Sequence, residues 1–431
     1  MSGIHPQSTA RYIEPVTKAP PRSWEWQDGA DEVRIECAGA ELSWQVTGFD
    51  ERLGDMRQDG EIQTLEDFVA YGPVRRGPEL VIREVAAHLG LTDPQWLRPL
   101  PPVNRQAIDL ARRGDTTGLL GLVRSGVGVD AADHQGYSLL WWATVNGRVD
   151  TALALISAGA DVSRRFRYGT EVLHAAVTGG HVRLVAAICA AGVAVDAVED
   201  VRGDTALSLA VRSPNACPMA QLLIAAGADV DRRRRDGRTA LVLAVRSGDI
   251  ELAGLLLTSG ADPNLVDADG SSALHMAAES SRTSAYRLLL EAGANPAQCN
   301  RWKSTPLMEA ALHGRLVGVR ALLAADADVN AAAEDGSTAL MHACYRRPVV
   351  EVIALLIDHG AWVNAARTDG YTALMSAARN GTAATVELFW ACGADIAAVD
   401  GTGRDALAHA TDAGNADTAK ILRAVGPTNE R

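Results

Sequence analysis

Arginine carries the chemistry available to this sequence. Of its 41 basic residues only Lys18, Lys303 and Lys420 are lysines, so the remainder are guanidinium groups. A guanidinium presents a rigid fork of N–H donors that fits carboxylates and phosphates, and it stacks on aromatic faces. The densest group is Asp231-Arg232-Arg233-Arg234-Arg235-Asp236, four forks bracketed by acids. Elsewhere arginine adjoins an aromatic ring, as in Arg167-Tyr168, Arg301-Trp302 and Tyr345-Arg346. These residue types dominate binding hot spots because they combine large contact area with oriented hydrogen bonds. Residues for covalent or metal chemistry do not assemble. There is no Gly-rich phosphate loop, no HExxH and no GxSxG. Cys37, Cys189, Cys217, Cys299, Cys344 and Cys392 stand far apart with no metal-ligand spacing, and read as small buried hydrophobes in a reducing compartment. The sequence therefore predicts no catalytic residue, no metal site and no cofactor.

The 431 residues are too many for one ordinary core, which points to several domains or an extended array. At 47% hydrophobic and 22% charged the chain is neither disordered nor collagenous. The net charge of −12 argues against a general nucleic-acid binder, while leaving room for a local basic face. No signal peptide opens the chain. The longest uncharged apolar stretch, 184–195, falls well short of the roughly 20 residues of a membrane span. A cytoplasmic protein with no membrane partner is expected.

The elements that position the arginines announce themselves by period. Leu140, Leu173, Leu207, Leu241, Leu274, Leu307, Leu340, Leu374 and Leu407 recur every 33 or 34 residues, in contexts such as GDTALSLA, GRTALVLA and GSTALMHA. A second signature follows most of them: GADV at Gly159 and Gly227, GADP at Gly260, GANP at Gly293, GAWV at Gly360 and GADI at Gly393, with looser forms GVAV at Gly192 and DADV at Asp326. Self-similarity of this kind marks a repeat architecture. Thr239 is placed to cap a helix whose Leu241, Leu243 and Ala244 face inward, Gly248 ends it, and Leu252, Leu255 and Leu256 begin the stripe of a second. Such helices are too short to persist alone, so neighbouring units must cover one another.

Period, phase and motif together resemble the ankyrin repeat, in about ten units over 103–426 with a degenerate first one. The resemblance implies a mainly α fold: a solenoid of stacked helix–turn–helix units joined by β-hairpin fingers. It also implies that partners meet the finger tips and the far ends of the first helices, on the concave side. Carried over position by position, the candidate contacts at the tips are His134, Gln135 and Tyr137, then Arg167 and Tyr168, Arg202, Arg235 and Arg238, Arg301 and Trp302, and Tyr371. At the helix ends they are Arg212, Arg246, Tyr345, Arg346 and Arg379. His174 and His275 are expected to hydrogen-bond within the finger–helix junction. Of Trp141 and Trp142, one should enter the core and the other face a neighbour or partner. Irregular places are expected where Pro214, Pro218 and Pro348 enter helix–helix turns, where 195–204 carries an extra residue, and where Lys303 and Asp326 replace glycines.

Residues 1–100 have a different character, with 10 basic and 17 acidic residues. Residues 1–22 read as a Pro-rich extended tail and 99–102 as a linker. Between them, 23–98 read as a small α+β module or N-terminal cap: the alternation in 32–37 and 42–46 predicts a hairpin, and Thr64 and Pro78 open two expected helices. Residues 427–431 form a short tail. No family is recognised in the module.

The expectation that follows is a non-enzymatic scaffold, monomeric in isolation, that clamps one protein with an acidic surface. Nucleic acid is disfavoured because aromatics that could stack bases are sparse. The alanine- and arginine-rich composition suggests a bacterial source. Ankyrin proteins of bacteria include immunity proteins that cover a toxin's active site, so the resemblance implies an inhibitor as the sharpest form. The alternatives are a two-partner adaptor, or an enzymatic or sensor module at 23–98 that the array targets.

Overall fold

The structure, a computed structural model, describes residues 8–11, 22–28, 31–38, 41–47, 102–133, 135–279 and 283–425. The chain divides into two units, Met1–Asp109 with Ala131–Ser138, and Leu110–Asp130 with Leu139–Arg431.

In the first unit β1 (Ser8–Arg11), β2 (Arg22–Asp28), β3 (Asp31–Ala38) and β4 (Glu41–Thr47) form an antiparallel sheet in the order β1-β4-β3-β2. The predicted hairpin is β3–β4, whose register runs from Glu32 opposite Thr47 to Ala38 opposite Glu41. Its register sets Ile35 opposite Trp44 on one side and opposite Trp24 on the other. The segment expected as a tail contributes a strand, since Ser8–Arg11 pairs with Glu41–Trp44. The helices expected from Thr64 and Pro78 lie outside the described residues. Helix α1 (Pro102–Arg113) starts inside the expected linker, with Pro102 as its first residue, where a missing N–H costs nothing.

In the second unit the repeats form helix pairs: α2 (Thr116–Arg124), α3 (Leu139–Val145) with α4 (Val149–Ser157), α5 (Val172–Thr178) with α6 (Val182–Ala190), and α7 (Ala206–Ala210) with α8 (Ala216–Ala225). They continue as α9 (Ala240–Ser247) with α10 (Ile250–Thr258), α11 (Ala273–Glu279) with α12 (Thr283–Glu291), and α13 (Pro306–Leu312) with α14 (Leu316–Ala324). The last three pairs are α15 (Ala339–Ala343) with α16 (Val350–Asp358), α17 (Ala373–Asn380) with α18 (Ala383–Ala391), and α19 (Ala406–Asp412) with α20 (Ala416–Val425). First helices pack on first helices and second on second.

Local sequence explains the helix boundaries. The Thr239 hydroxyl accepts the Val242 amide at the start of α9, and Gly248 closes that helix with φ +79°. Leu241, Ala244, Leu252 and Leu256 are buried as expected, while Leu243 and Leu255 are half-buried. Alanines without exposed area, such as Ala210, Ala244, Ala277 and Ala377, let adjacent repeats approach closely. Each fully buried leucine contributes roughly 1.5–3 kcal/mol. Lys303 and Asp326 adopt the left-handed backbone of the glycines they replace, φ 57° and 59°. Tyr168 does the same at φ 60°, in a tip where the next residue, Gly169, is also left-handed.

The fingers form a ladder of amides. The Asp200 N–H donates to Tyr168 O, Arg235 to Arg202 O, Ala268 to Asp236 O, Arg301 to Asp269 O, Glu334 to Trp302 O, Thr368 to Asp335 O and Gly401 to Asp369 O, at 2.6–3.0 Å. Inside a finger one side chain shapes the turn: the Asp267 carboxylate accepts the Asp269 and Ser271 amides. The Asn300 side chain does this for Trp302 and Ser304. The extra residue in the third finger is absorbed by Glu199, whose carboxylate accepts the amides of Val201, Arg202 and Asp204. The two repeats with prolines in the inter-helix turn have the shortest first helices, α7 and α15, each five residues long. After α15 the lost turn leaves carbonyls that the next repeat meets: Asn380 Nδ2 donates to Cys344 O and Tyr345 O, and Ser376 Oγ to Cys344 O.

Candidate protein-binding site

The histidines settle into the junctions expected of them. His174 Nδ1 accepts the Glu171 amide at 3.1 Å, so Nε2 carries the proton and donates to Ala197 O at 3.0 Å. His275 repeats this with the Ser272 amide and Ser304 O, both at 3.1 Å. Burial pushes both imidazoles below the ordinary histidine value, which favours this neutral form. Neither tryptophan enters the core fully. Trp141 lies 4.6 Å from the Phe166 ring, and the Arg112 guanidinium lies 4.5 Å over Trp142. Both are half-buried.

The structure divides the candidate contacts into two groups. At the finger tips most arginines are engaged. Arg238 Nε stands 3.3 Å from the buried Asp267 carboxylate, with Asp236 at 3.7 Å. Arg301 Nη1 is 2.7 Å from Asp269, and its guanidinium stacks 4.2 Å over Trp302. Arg167 stacks at 4.5 Å over Tyr168. With these contacts made, Trp302 and Tyr168 are still 48% and 41% exposed. Tyr371 is half-buried, packs edge-on against His409 at 5.1 Å, and has its phenol pushed upward chiefly by burial. Arg202 and Arg235 are the exceptions. Both are exposed, and the Arg235 side chain makes one long contact, to Val201 O at 3.4 Å.

Helix ends behave differently. Arg246 and Arg379, in the last turns of α9 and α17, are exposed with no ion pair among the described residues. Tyr345, 57% exposed, and Arg346 extend from the loop after α15. Arg212, after α7, reaches Asp204 at 3.5 Å with its side chain still 56% exposed. Gln135 is exposed and Tyr137 half-buried; both belong to the first unit, and His134 lies outside the described residues.

The run Asp231–Asp236 does four separate things. Arg234 turns inward, its Nε 2.8 Å from Asp204 Oδ1, with side-chain exposures of 10% and 4%. Arg233 donates to Val266 O at 3.0 Å. Arg235 is nearly free, and Arg232, whose amide donates to Asp229 O, has an exposed side chain without a hydrogen bond or ion pair among the described residues. Periodicity could not foretell this sorting, because the partners Asp204, Val266 and Val201 lie some thirty residues away. Arg238, read as a contact, faces another constraint: reversing its charge would set a carboxylate against Asp267.

No group of His, Cys, Asp and Glu among the described residues could hold a metal ion, and none of their helices is long and apolar enough to cross a membrane. The cysteines do not all settle as buried hydrophobes: of the five described, Cys344 is buried, Cys189 and Cys217 are half-buried, and Cys299 and Cys392 are exposed, with no disulfide among the described residues.

Stacked helix pairs and a finger ladder define a repeat scaffold of the kind that binds protein. The family model for ankyrin repeats (3 copies) matches in overlapping windows that run without a gap from 164 to 430, more than half of the chain, and the protein belongs to this family. Among curated relatives, the nuclear factor NF-kappa-B p105 subunit of Mus musculus is 40% identical over 99 residues, 22% of this chain and 10% of the relative. A putative ankyrin repeat-containing protein of Treponema pallidum is 40% identical over 105 residues, 24% of this chain and 35% of the relative. The chain thus spans between a tenth and about a third of these relatives' lengths. A chain from the solved complex of the predatory endopeptidase Bd0816 of Bdellovibrio bacteriovorus with immunity protein Bd3460 aligns with 27% identity and a TM-score of 0.40, covering 45% of this chain and 99% of that one.

Proposed function

We propose that this protein is a non-enzymatic cytoplasmic scaffold that clamps the acidic surface of one partner protein with the ends of its first helices. The observation that carries this reading is the contrast in arginine pairing. On a chain of net charge −12, Arg246, Arg346 and Arg379 stand exposed with no ion pair among the described residues, and Tyr345 adjoins Arg346 in the chain. Exposed forks beside a ring offer oriented donors and contact area that an acidic surface can use. Arg202, Arg212 and Arg235 extend the face at the repeats of α7 and α9. The unpaired cysteines favour a reducing compartment. In its sharpest form the partner is an enzyme or toxin that the clamp inhibits.

Arg246→Glu combined with Arg379→Glu tests the reading directly. Capture from the native source and mass spectrometry identify the partner, and its affinity for the double variant should fall by roughly tenfold or more. The melting temperature should not move, since neither side chain supports the fold. Unchanged affinity overturns the clamp. The inhibitory form requires in addition that a stoichiometric complex suppress the partner's own activity.

A further inference from the structure

Between the segments that lead from the second helices into the fingers of three successive repeats lies a cleft of about 610 Å³. This is within the range of about 300–1,000 Å³ usual for ligand sites, and several times what a single inorganic anion would fill. Its wall includes the whole run Arg232–Arg235, facing Glu199 and Asp200 of the preceding repeat, with Val198 and Leu265 supplying apolar surface.

The acids of this wall are already engaged. Glu199 is occupied by the three amides of its own finger. Asp200 stands 3.4 Å from Arg165, and Asp231 accepts the Asp262 amide at 3.0 Å. The arginines are not all engaged: Arg234 is committed to Asp204 and Arg233 to Val266 O, while Arg232 and Arg235 keep their forks available. We propose that this cleft binds an acidic peptide segment of the partner, its carboxylates gripped by Arg232 and Arg235 and an apolar neighbour seated against Val198 and Leu265. The inference deepens the clamp reading and rests on it for the existence of a protein partner.

A peptide suits the wall better than a polyphosphate does. Four carboxylates, Glu199, Asp200, Asp229 and Asp231, balance the four arginines of the lining. A dense run of phosphates would meet those carboxylates at close range, where like charges repel. An acidic peptide brings carboxylates for the forks and backbone N–H groups for the carboxylate lone pairs that remain.

The experiment uses the full chain and a fluorescein-labelled peptide, Glu-Leu-Glu-Glu-Leu-Glu, followed by anisotropy. The acidic peptide should bind, its all-Gln counterpart should not, and binding should weaken with salt. Arg232→Glu should weaken it by roughly tenfold, and Arg232→Gln, which adds no repulsion, should weaken it less. Arg246→Glu with Arg379→Glu should leave it intact. No binding at millimolar peptide, equal binding of the Gln peptide, or indifference to Arg232 overturns the proposal. So does displacement of the peptide by inorganic phosphate or oligo-dT at matched charge. If Arg232→Glu leaves partner affinity whole while the Arg246/Arg379 variant abolishes it, the cleft falls and the clamp stands. If both variants leave it whole, both fall.

Discussion

The finger tips and the helix ends carry the same residue type and use it in opposite ways. Successive fingers stand close enough for an arginine of one to reach an aspartate of the next: Asp204 with Arg234, Arg238 with Asp267, Asp269 with Arg301, Asp335 with Arg367. Charge there joins repeat to repeat. At the helix ends Arg246 and Arg379 find no ion-pair partner among the described residues, and their charge remains available to another molecule. Arginine content alone therefore says little about a binding face. What matters is whether the preceding or following repeat supplies the acid.

The largest test of that division is Asp204→Ala. Asp204 is a buried hub: Arg234 Nε lies at 2.8 Å, Ser208 Oγ donates at 2.9 Å, and Arg212 approaches at 3.5 Å. Removing the carboxylate leaves a nearly buried guanidinium with only the more distant Asp236 at 3.9 Å, and breaking a buried pair in this way typically costs about 3–5 kcal/mol. Urea unfolding should show a loss of that order, centred in hydrogen exchange on the repeats of α7–α8 and α9–α10. A loss below about 1 kcal/mol would mean that the fingers are not held by their ion pairs.

Acid should loosen the fingers and spare the helix ends. His174 and His275 hold carbonyls of the following finger in their neutral form, and burial lowers both values. A lowered histidine means the unfolded chain binds more protons, so stability is complete above the ordinary value of about 6.5 and declines as pH falls below it. Protonation would also remove the Nδ1 acceptor of the Glu171 and Ser272 amides. The melting temperature should drop between pH 6.5 and 5 in the wild type. His174→Gln with His275→Gln should flatten that slope, and an unchanged slope would assign the acid sensitivity to other groups.

Much of this architecture is legible in the sequence, because helix caps, left-handed glycines and the period of 33 or 34 residues are local signals. The replacements at Lys303 and Asp326 could be read as left-handed positions for the same reason. Three features escaped it. Strand β1 depends on pairing with β4 more than thirty residues on, and a Pro-rich flank hides a four-residue strand. The fates of Arg234 and Arg238 depend on a neighbour one repeat away, which periodicity shows to exist without showing where its side chain points. Tyr168 gives no sign of its backbone, since an aromatic at φ 60° contradicts local preference.

That contradiction bears on function. Holding a non-glycine residue in such a conformation costs of order 1–3 kcal/mol, and the residue so held is an exposed ring under a stacked arginine. Tyr168→Asn accepts the conformation more readily while losing the stack, worth about 0.5–1 kcal/mol at an exposed site. Stability should stay level or rise by up to about 1 kcal/mol, and partner affinity should fall. Destabilisation would show that the ring supports its finger, and would move Tyr168 from recognition to structure.

The smallest effect is expected where the geometry looks strongest. Arg301 and Asp269 approach to 2.7 Å, closer than any other ion pair among the described residues, yet their side chains are 59% and 43% exposed. An exposed pair gains little Coulomb energy against water and salt, and fixing two long side chains costs entropy, so such pairs contribute about 0–1 kcal/mol. Arg301→Ala should therefore lower stability by less than about 1 kcal/mol, with the Trp302 stack included. Raising the salt to 0.5 M should erase most of the difference. The comparison with Asp204 is then between an exposed bridge of 2.7 Å and a buried one of 2.8 Å. If Arg301→Ala costs as much as Asp204→Ala, distance and not burial sets the strength of the finger ladder, and the separation of fingers from helix ends loses its physical basis.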